Sequence, residues 1–526
     1  MFSISPLRRV LAVLASAAAA LLPHLALAQQ SGQALTWVVD PEPSSLVPLV
    51  TTAGGNTEIG PKVVEGLLTY DRQLQPRPLL ATEWTVSPDG LRYSFKLRQG
   101  VKWHDGQPFT SANVVYSIQT LKQAHPRGRV TFANVTAIKA PAPDRVELEL
   151  SKPAPYLLTA LASAESPIVP RHLYEGTDVA ANPYNSKPVG TGPFVFKEWV
   201  RGSFVRLERN PDYWGAPKPA VQQVVVRFIP DAAARAAALE SGEVLLGSQA
   251  IPLADVERFR KLPNVEVDTR DWPYVGNHVQ IYFNLDTPEF KDRAVRLAVA
   301  QSVNVAGLIK SVWYGLGTPS ASPIGKANPF HDASIQPYGF DIKAAEAGLD
   351  AAGYPRRADG TRFAVRLLYN PFVDRRAADY VRQALGRIGI KAEVQSYDFG
   401  TYVTKAYTDR AFDIVVENMT NLFDPTLGVQ RIFWSKNFKI GLPSNAPHYV
   451  SPEADRLLEA AAVEPDAARR KQLFSDFQKV VHADVPSIEI GANPTITVAN
   501  RRIKDYAPGG EGIRGSFADV TIAPAP

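Results

Sequence analysis

Cysteine is absent from this sequence of 526 residues, and methionine occurs only twice. Without cysteine the chain has no disulfide framework, no cysteine-ligated zinc or iron–sulfur cluster, no thiol nucleophile and no cysteine that carries a lipid anchor. A strong excess of one charge is also missing, because the net charge is +5 and no dense run of lysine and arginine occurs. We therefore expect no nucleic-acid partner.

Common catalytic motifs are missing as well. No two of the 8 histidines lie within four residues of each other, and no Gly-x-Ser-x-Gly, Ser-x-x-Lys or P-loop sequence occurs. Gly510, Gly512 and Gly515 spell Gly-x-Gly-x-x-Gly, but a dinucleotide fold needs a helix after the third glycine. The few residues that follow include Pro524 and Pro526. The sequence predicts a loop there and a protein that is not an enzyme.

One apolar run stands near the N-terminus. Arg8 and Arg9 precede the apolar stretch 10–22, and residues 26–28 read Ala-Leu-Ala. This order is typical of a signal peptide cleaved before Gln29. The stretch is shorter than the ~20 residues that span a bilayer. We expect residues 1–28 to be removed and the mature chain to reach the periplasm without a lipid anchor.

The rest of the sequence has a globular composition, with 45% apolar and 21% charged residues. Strand and helix patterns alternate along it, which favours a mixed α/β fold of several structural units. Tyr93, Phe95 and Leu97 share one face of a predicted strand. Asp466 is the predicted N-cap of an amphipathic helix, and one long helix is expected over 292–314.

Several motifs in a fixed order carry a family resemblance. Residues 87–109 read Ser-Pro-Asp-Gly-Leu-Arg-Tyr-Ser-Phe-Lys-Leu-Arg-Gln-Gly-Val-Lys-Trp-His-Asp-Gly-Gln-Pro-Phe. Gly-Thr-Gly-Pro follows at 190–193, Asn-Pro-Asp-Tyr-Trp at 210–214 and Tyr-Phe-Asn at 282–284. Together they resemble the family 5 extracellular solute-binding proteins, which are the peptide, nickel and opine receptors of ABC importers. Where the family usually has an acid, position 113 is Asn, and we expect this change to affect a helix start.

The resemblance implies an α/β fold of the two-lobed periplasmic-binding-protein type, with an extra subdomain inserted in lobe I. Two crossover segments join the lobes, and the ligand lies between them. The expected boundaries are lobe I at 29–68, 187–274 and 487–526, the inserted subdomain at 69–186 and lobe II at 275–486.

The resemblance also implies a function. We expect a periplasmic substrate-binding protein that captures a short peptide or peptide-like solute between two closing lobes. Its partners are then that solute and an ABC permease and ATPase complex in the inner membrane. We expect a monomer without cofactor or metal. The alternatives are a receptor for an opine, a sugar conjugate or a nickel chelate, and a sensory binding protein of the same fold.

The segment 417–425 is the most informative about the ligand. In peptide-binding relatives, an Asp four residues before the corresponding Pro pairs with the ligand's α-ammonium group, and a Trp lies three residues earlier. These places hold Asn421 and Asn418 here. An amide lacks the charge that pairs with a cation, so the expected partner of a peptide N-terminus is missing. Phe423 is a further candidate, and Asp424 either substitutes for the missing carboxylate or caps a turn.

Further candidate ligand contacts follow from approximate correspondence with relatives. A loop of the inserted subdomain, with Arg127, Arg129 and Phe132, either reaches the cleft or is a solvated basic loop. A second cleft segment contains Ser163 and Glu165. The other candidates lie after the first strand, at the start of lobe II and farther along lobe II: Glu42 and Ser45; Tyr282 and Asn284; Trp434, as a cleft wall or as core. For a chelate, His278 and His448 are candidates against a structural role.

Overall fold

The computed structural model describes residues 34–216, 218–438 and 444–524. The expected signal peptide therefore lies outside the described residues. Within them, the strands form three main sheets and two small two-stranded ones. None of the helices in this described part combines the length and the apolar character that crossing a bilayer requires.

The first main sheet has seven strands and draws them from distant parts of the chain. Its central strand, Ala34–Val38, pairs in parallel with one neighbour on each side. Leu35 and Trp37 on one face and Val38 on the other are fully buried. Burial on both faces is typical of such a strand. In spatial order the strands are Val265–Asp268, Thr497–Asn500, Leu246–Ser248, Ala34–Val38, Gln223–Arg227, Phe204–Arg209 and Phe194–Val200.

The second main sheet has six strands, and all lie in the predicted lobe II or just beyond its end. The long strand Val275–Phe283 is central and pairs antiparallel with a neighbour on each side. In spatial order the strands are Thr318–Pro319, Ser487–Ala492, Val275–Phe283, Ile414–Leu422, Phe363–Tyr369 and Ile390–Gln395.

A four-stranded antiparallel sheet lies within 69–186, the range predicted for the inserted subdomain. Its order is Ala81–Val86, Arg92–Leu97, Arg145–Leu150 and Val135–Ala142. Tyr93, Phe95 and Leu97 all face its core, as their alternation predicts. The two small sheets pair Leu68–Tyr70 with Pro76–Pro78, and Ile503–Lys504 with Thr521–Ile522.

Helices cover the faces of the sheets. The α-helices of the first lobe and the inserted subdomain are Gly54–Ile59, Ser111–Ala124, Gly128–Thr131, Arg171–Tyr174, Ala232–Ser241 and Val256–Arg260. Those of the second lobe are Pro288–Lys291, Arg293–Ser302, Val305–Val312, Ile342–Ala351, Arg375–Arg387, Phe399–Val403, Pro425–Gly428, Gln430–Phe433, Pro452–Val463 and Ala467–Asp484. Short 3₁₀ turns lie at Gly60–Lys62, Pro155–Ala160, Pro183–Asn185, Leu253–Asp255 and Gly512–Arg514, and a π turn lies at Thr404–Thr408.

Two short segments, 269–274 and 493–496, connect the first sheet with the second. Residues of both segments line one small cavity, and the Asn493 backbone N–H donates to the carbonyl of Asn277 on strand Val275–Phe283 at 3.0 Å. The expected return to lobe I at residue 487 is corrected here, because Ser487–Ala492 pairs with strand Val275–Phe283 of the second sheet. The chain rejoins the first sheet at Thr497.

Helix caps account for two features of the helix prediction. Asp466 caps Ala467–Asp484 by accepting from the Arg469 N–H at 2.8 Å, as predicted. The single helix expected over 292–314 was wrong, because the Asn304 side chain accepts from the Gly307 N–H at 2.8 Å and starts a second helix. A short polar side chain that caps a helix interrupts the helix before it.

The family motifs at 190–193 and 210–214 build a scaffold around one buried carboxylate. Glu65 accepts from the Thr191 hydroxyl at 2.8 Å, the Tyr213 hydroxyl at 3.0 Å and the Trp214 ring N–H at 2.9 Å. Burial raises the pKa of Glu65 to about 7 against these hydrogen bonds. Gly190 is required for close packing, since a Cβ there would lie 1.7 Å from the Val63 carbonyl oxygen.

Asn113 has the structural role that its position predicts. Its side chain accepts from the Thr110 N–H at 2.9 Å in a capping box that starts helix Ser111–Ala124. The amide replaces the usual acid of this motif without losing the acceptor.

Candidate functional site

Charged side chains from both lobes and from the inserted subdomain lie close enough to shift one another's pKa values. Lobe I contributes Glu58 on helix Gly54–Ile59 and Arg514 on the turn Gly512–Arg514. The inserted subdomain contributes Arg127 and Glu165, and lobe II contributes Arg431 on helix Gln430–Phe433. We call these five residues the central charge cluster.

Arg127 and Glu165 form a two-pronged ion pair. The Arg127 Nε and Nη2 atoms lie 2.6 and 2.5 Å from the two carboxylate oxygens, and the Glu165 side chain is only 2% exposed. Burial alone would raise the pKa of Glu165, but the charge and hydrogen bonds of Arg127 outweigh it and the pKa is lowered. Glu165 therefore stays ionised, and the positive charge of Arg127 neutralises it.

Arg431 has no carboxylate partner. Its Nε atom donates to the Gly428 carbonyl at 2.9 Å, and its Nη2 atom donates to the Thr420 carbonyl at 2.8 Å. Burial lowers the pKa of Arg431 to about 10, and the nearby charge of Arg127 adds to this effect. The two carbonyls fix the orientation of the guanidinium group but do not neutralise it.

Glu58 and Arg514 face each other without direct contact. Arg514 donates through Nε to the Thr57 hydroxyl at 3.3 Å, a long hydrogen bond. Within the described residues, the Glu58 carboxylate has no hydrogen bond and no ion pair within 4 Å. Burial raises the pKa of Glu58, opposed by the charges of Arg514 and Lys62. Both side chains keep polar atoms without a partner among the described residues.

Asp424 caps a helix, which is one of its two predicted roles, and as a ligand contact it stays a prediction. Its carboxylate accepts from Arg470 Nη1 at 2.7 Å and from Arg470 Nη2 at 2.8 Å, and it caps helix Pro425–Gly428 through the Thr426 N–H at 2.9 Å. Asp424 is 1% exposed, and both of its carboxylate oxygens have protein partners.

Phe423 and Phe132 are buried in the core, and as solute contacts they stay predictions. Phe423 stacks on Tyr274 with ring centroids 4.6 Å apart, and Tyr274 stacks on Tyr70 at 5.2 Å. This three-ring stack joins lobe II, a crossover segment and the inserted subdomain. Phe132 is fully buried in the core of the inserted subdomain. Apolar burial explains both positions without a ligand.

Three other predicted contacts, in lobe II and in the inserted subdomain, have hydrogen-bond partners within the protein. Tyr282 is buried and donates to the Gln280 side chain. The Asn284 amide group donates to the Phe412 carbonyl at 2.9 Å. The buried Ser163 hydroxyl accepts from the Gly66 N–H at 2.9 Å. These side chains hold their own segments in place, and as solute contacts they stay predictions.

Four predicted contacts lie nearer the surface. Glu42 accepts from the Trp199 ring N–H at 2.9 Å, and the Ser45 hydroxyl accepts from the Asn56 amide at 2.6 Å. Trp434 donates to Glu459 at 2.8 Å. Arg129 is exposed and donates to the Gln123 carbonyl at 2.9 Å. The structure does not bring these four into the central charge cluster, and as solute contacts they stay predictions.

The two asparagines of the lobe II strand retain unused polar atoms. Asn421 Oδ1 accepts from the Gly325 N–H at 2.9 Å, whereas its buried Nδ2 atom has no partner among the described residues. The buried Asn418 Oδ1 atom has no partner there either. Asn421 and His278 line a cavity of about 30 Å³ beside the crossover segments, which is room for a water molecule.

The histidines considered for a chelate have protein partners. His278 Nε2 lies 3.0 Å from the Glu489 carboxylate, and His448 Nδ1 lies 2.8 Å from the Asp286 carboxylate. In the part of the chain that the structure describes, no group of three or more histidine, aspartate and glutamate side chains is placed to hold a metal ion.

Sequence reasoning missed Glu58, Arg431 and Arg514. Arg431 lies six residues after Pro425, close to the segment 417–425 that was predicted to contact the ligand. Arg514 lies inside the glycine-rich loop 510–515, which forms a turn and no dinucleotide-binding helix. A charged residue close to a predicted ligand segment is the signal that the sequence offered.

Comparison with known proteins matches this architecture. The model of the bacterial extracellular solute-binding proteins, family 5, covers residues 75–439. The chain belongs to this family. As a family 5 protein it is a two-lobed solute-binding protein of the class that serves ABC transporters.

Individual relatives of this family 5 protein cover nearly its whole length. The dipeptide-binding protein of Escherichia coli K12 is 26% identical over 468 residues, which are 85% of this chain and 86% of the relative. The periplasmic binding protein DppA of Helicobacter pylori, solved with the peptide STSA, has a TM-score of 0.79 and 25% identity and covers 93% of this chain and 98% of its own. AgaA of A. tumefaciens R10, solved with agropinic acid, has a TM-score of 0.76 and 26% identity over 94% and 99% of the two chains.

Proposed function

We propose that the mature chain works in the periplasm, captures a short peptide or peptide-like solute between its lobes and delivers it to an ABC permease and ATPase in the inner membrane. Export follows from the signal-peptide pattern of residues 1–28. The protein acts as a monomer. It catalyses no reaction, because the sequence carries no Gly-x-Ser-x-Gly, Ser-x-x-Lys or P-loop motif and no pair of closely spaced histidines.

The central charge cluster is the observation that carries this proposal. It draws side chains from both lobes and from the inserted subdomain, and Glu58, Arg431 and Arg514 keep polar atoms that no described protein group satisfies. A solute that binds them from both sides favours the closed form, because it makes these contacts together only when the lobes meet. Micromolar capture needs about 8 kcal/mol of binding free energy.

The peptide class rests on the relatives that bind a dipeptide and the peptide STSA. An opine is the second candidate, because one neighbour binds agropinic acid and because position 421 carries an amide instead of a carboxylate. The free Asn421 Nδ2 and Asn418 Oδ1 atoms offer a donor and an acceptor to a neutral polar group of either ligand.

Native mass spectrometry of protein purified from a periplasm without refolding tests the proposal. We expect a discrete extra mass that is released on denaturation, and the same protein refolded from denaturant serves as the solute-free control. Masses spaced by amino-acid residues support a peptide, and a single non-peptide mass supports the opine class. If the native and refolded preparations have the same mass and no solute from a periplasmic extract restores a difference, capture of a solute is contradicted.

A further inference from the structure

A buried apolar cluster joins lobe II to the inserted subdomain. Leu422, Phe423 and Leu427 of lobe II are 1%, 1% and 6% exposed. They lie in the same cluster as the core of the inserted subdomain, which includes Tyr156 of the turn Pro155–Ala160. Apolar side chains from two distant parts of the sequence are thus buried together. We call the three lobe II residues and this turn the closure seam.

Other contacts place the turn Pro155–Ala160 against lobe II. Helix Pro452–Val463 packs against this turn. Burial raises the pKa of Tyr156 to about 12, and the charges of Asp424 and Arg470 of lobe II also act on its hydroxyl group. The inserted subdomain therefore meets lobe II over a surface wider than the three apolar residues alone.

The crossover residue Tyr274 contacts both sides of the closure seam. Its ring stacks on Phe423 of lobe II with centroids 4.6 Å apart, and its hydroxyl group donates to the Thr159 carbonyl of the turn at 2.9 Å. Among the described residues, the apolar cluster contains none of the five members of the central charge cluster. The seam is therefore made by the protein alone and is separate from the charged groups that are proposed to hold a solute.

Separation of the lobes has to open this seam. The chain connects lobe II to the rest of the molecule only through the segments 269–274 and 493–496. When lobe II moves away from the inserted subdomain, the two sides of the seam become exposed to water. Apolar burial is favourable whether or not a solute is present, and soluble proteins rarely expose a large contiguous apolar patch. A solute adds to closure only by its own preference for the closed form.

We propose that the closure seam keeps the lobes together without a solute, so that the solute-free protein is mainly closed. The solute then enters during brief openings, and its association is slow because it waits for them. A receptor whose lobes were held together only by its solute would be open when empty. This inference goes beyond the proposed function, since it concerns the conformation of the empty protein and holds for a peptide and for an opine alike.

Small-angle X-ray scattering tests the seam on protein that is purified from a periplasm, unfolded and refolded to remove any solute. Leu427→Asp places a charge on the lobe II side of the seam, and Tyr156→Asp places one on the side of the inserted subdomain. Val450→Asp is the matched control, since Val450 lies in lobe II and is 63% exposed. Circular dichroism establishes that each variant is folded, and either seam variant serves if the other folds poorly.

We expect the solute-free wild type and Val450→Asp to give the scattering profile that is calculated from the structure. Leu427→Asp and Tyr156→Asp should both have a larger radius of gyration. A solute-free wild type that is more extended than the calculated profile would overturn the proposal, and so would folded seam variants that still fit it. Neither result depends on whether native mass spectrometry finds a solute, so failure of the seam and failure of the proposed function are distinguishable.

Discussion

The substitution Asp424→Asn distinguishes a structural role of Asp424 from a role as a ligand contact. The amide keeps an acceptor for the Thr426 N–H, so the helix cap survives. It removes the negative charge that faces Arg470. The Arg470 guanidinium also donates to the Ala461 carbonyl at 2.7 Å and lies 5.0 Å from the Phe330 ring centroid, so it cannot turn to solvent.

The expected cost follows from the burial of both partners. The side chains of Asp424 and Arg470 are 2% and 5% exposed. Removing one partner of such a pair costs about 3–5 kcal/mol, because the remaining charge is left buried and uncompensated. For a folding unit of ~200 residues, each kcal/mol lowers Tm by about 2–4 °C. We therefore expect Asp424→Asn to lower Tm by about 10 °C.

Thermal unfolding and solute retention, measured side by side, decide the outcome. Asp466→Asn is the control, since it alters an exposed helix cap without a buried cation, and we expect its Tm to stay within about 1 °C of the wild type. The double variant Asp424→Leu with Arg470→Met should recover most of the loss, because a buried ion pair replaced by apolar groups is often neutral. A Tm within 2 °C of the wild type, together with loss of the retained solute, would refute the structural role and restore Asp424 as a ligand contact.

Three further predictions concern the scaffold. Burial raises the folded-state pKa of Glu65 to about 7, so its contribution to stability is full below about pH 4.5 and is lost as the pH rises through 7. Between those pH values the free energy of unfolding of Glu65→Gln should therefore rise by up to about 3 kcal/mol relative to that of the wild type. Parallel pH profiles of the two proteins in urea denaturation would contradict this. Tyr274→Ala removes both ring stacks and should lower the free energy of unfolding, measured in urea, by about 3–5 kcal/mol. Tyr274→Phe loses only the hydroxyl hydrogen bond to the Thr159 carbonyl and should lower it by about 1 kcal/mol. Equal losses in the two variants would mean that the ring stacks contribute nothing. Gly190→Ala should unfold the protein below the wild-type Tm by more than 10 °C, because its Cβ has no space, whereas Gly54→Ala, with open space around its Cβ, should be neutral or stabilising in the same assay.

The sequence predicted well those features that depend on neighbouring residues. The alternation of Tyr93, Phe95 and Leu97 gave a strand, and Asp466 gave a helix start, since both signals act over a few residues. Asn113 was correctly assigned to a helix start for the same reason. The break in the helix expected over 292–314 depended on Asn304, a cap signal that an apolar pattern on either side concealed.

The candidate site was predicted less well, because its contacts join distant parts of the chain. Asp424 cannot be distinguished from a ligand contact until Arg470, 46 residues away, is known to reach it. Glu165 and Arg127 form a pair only after the inserted subdomain has folded. Arg431 became a candidate only when its three-dimensional position showed that its guanidinium group contacts two carbonyl groups and no carboxylate.

The path of the chain between the sheets sets an order on folding. The second sheet is complete once residue 492 has been made, and its first and last segments lie side by side through His278 and Ala492. The first sheet must wait for strand Thr497–Asn500, which fits between Leu246–Ser248 and Val265–Asp268. During synthesis from the N-terminus, lobe II is therefore able to form while lobe I still holds an open gap between two of its strands. The last thirty or so residues act as the closing piece of the first lobe, and a chain truncated before Thr497 should leave that gap unfilled.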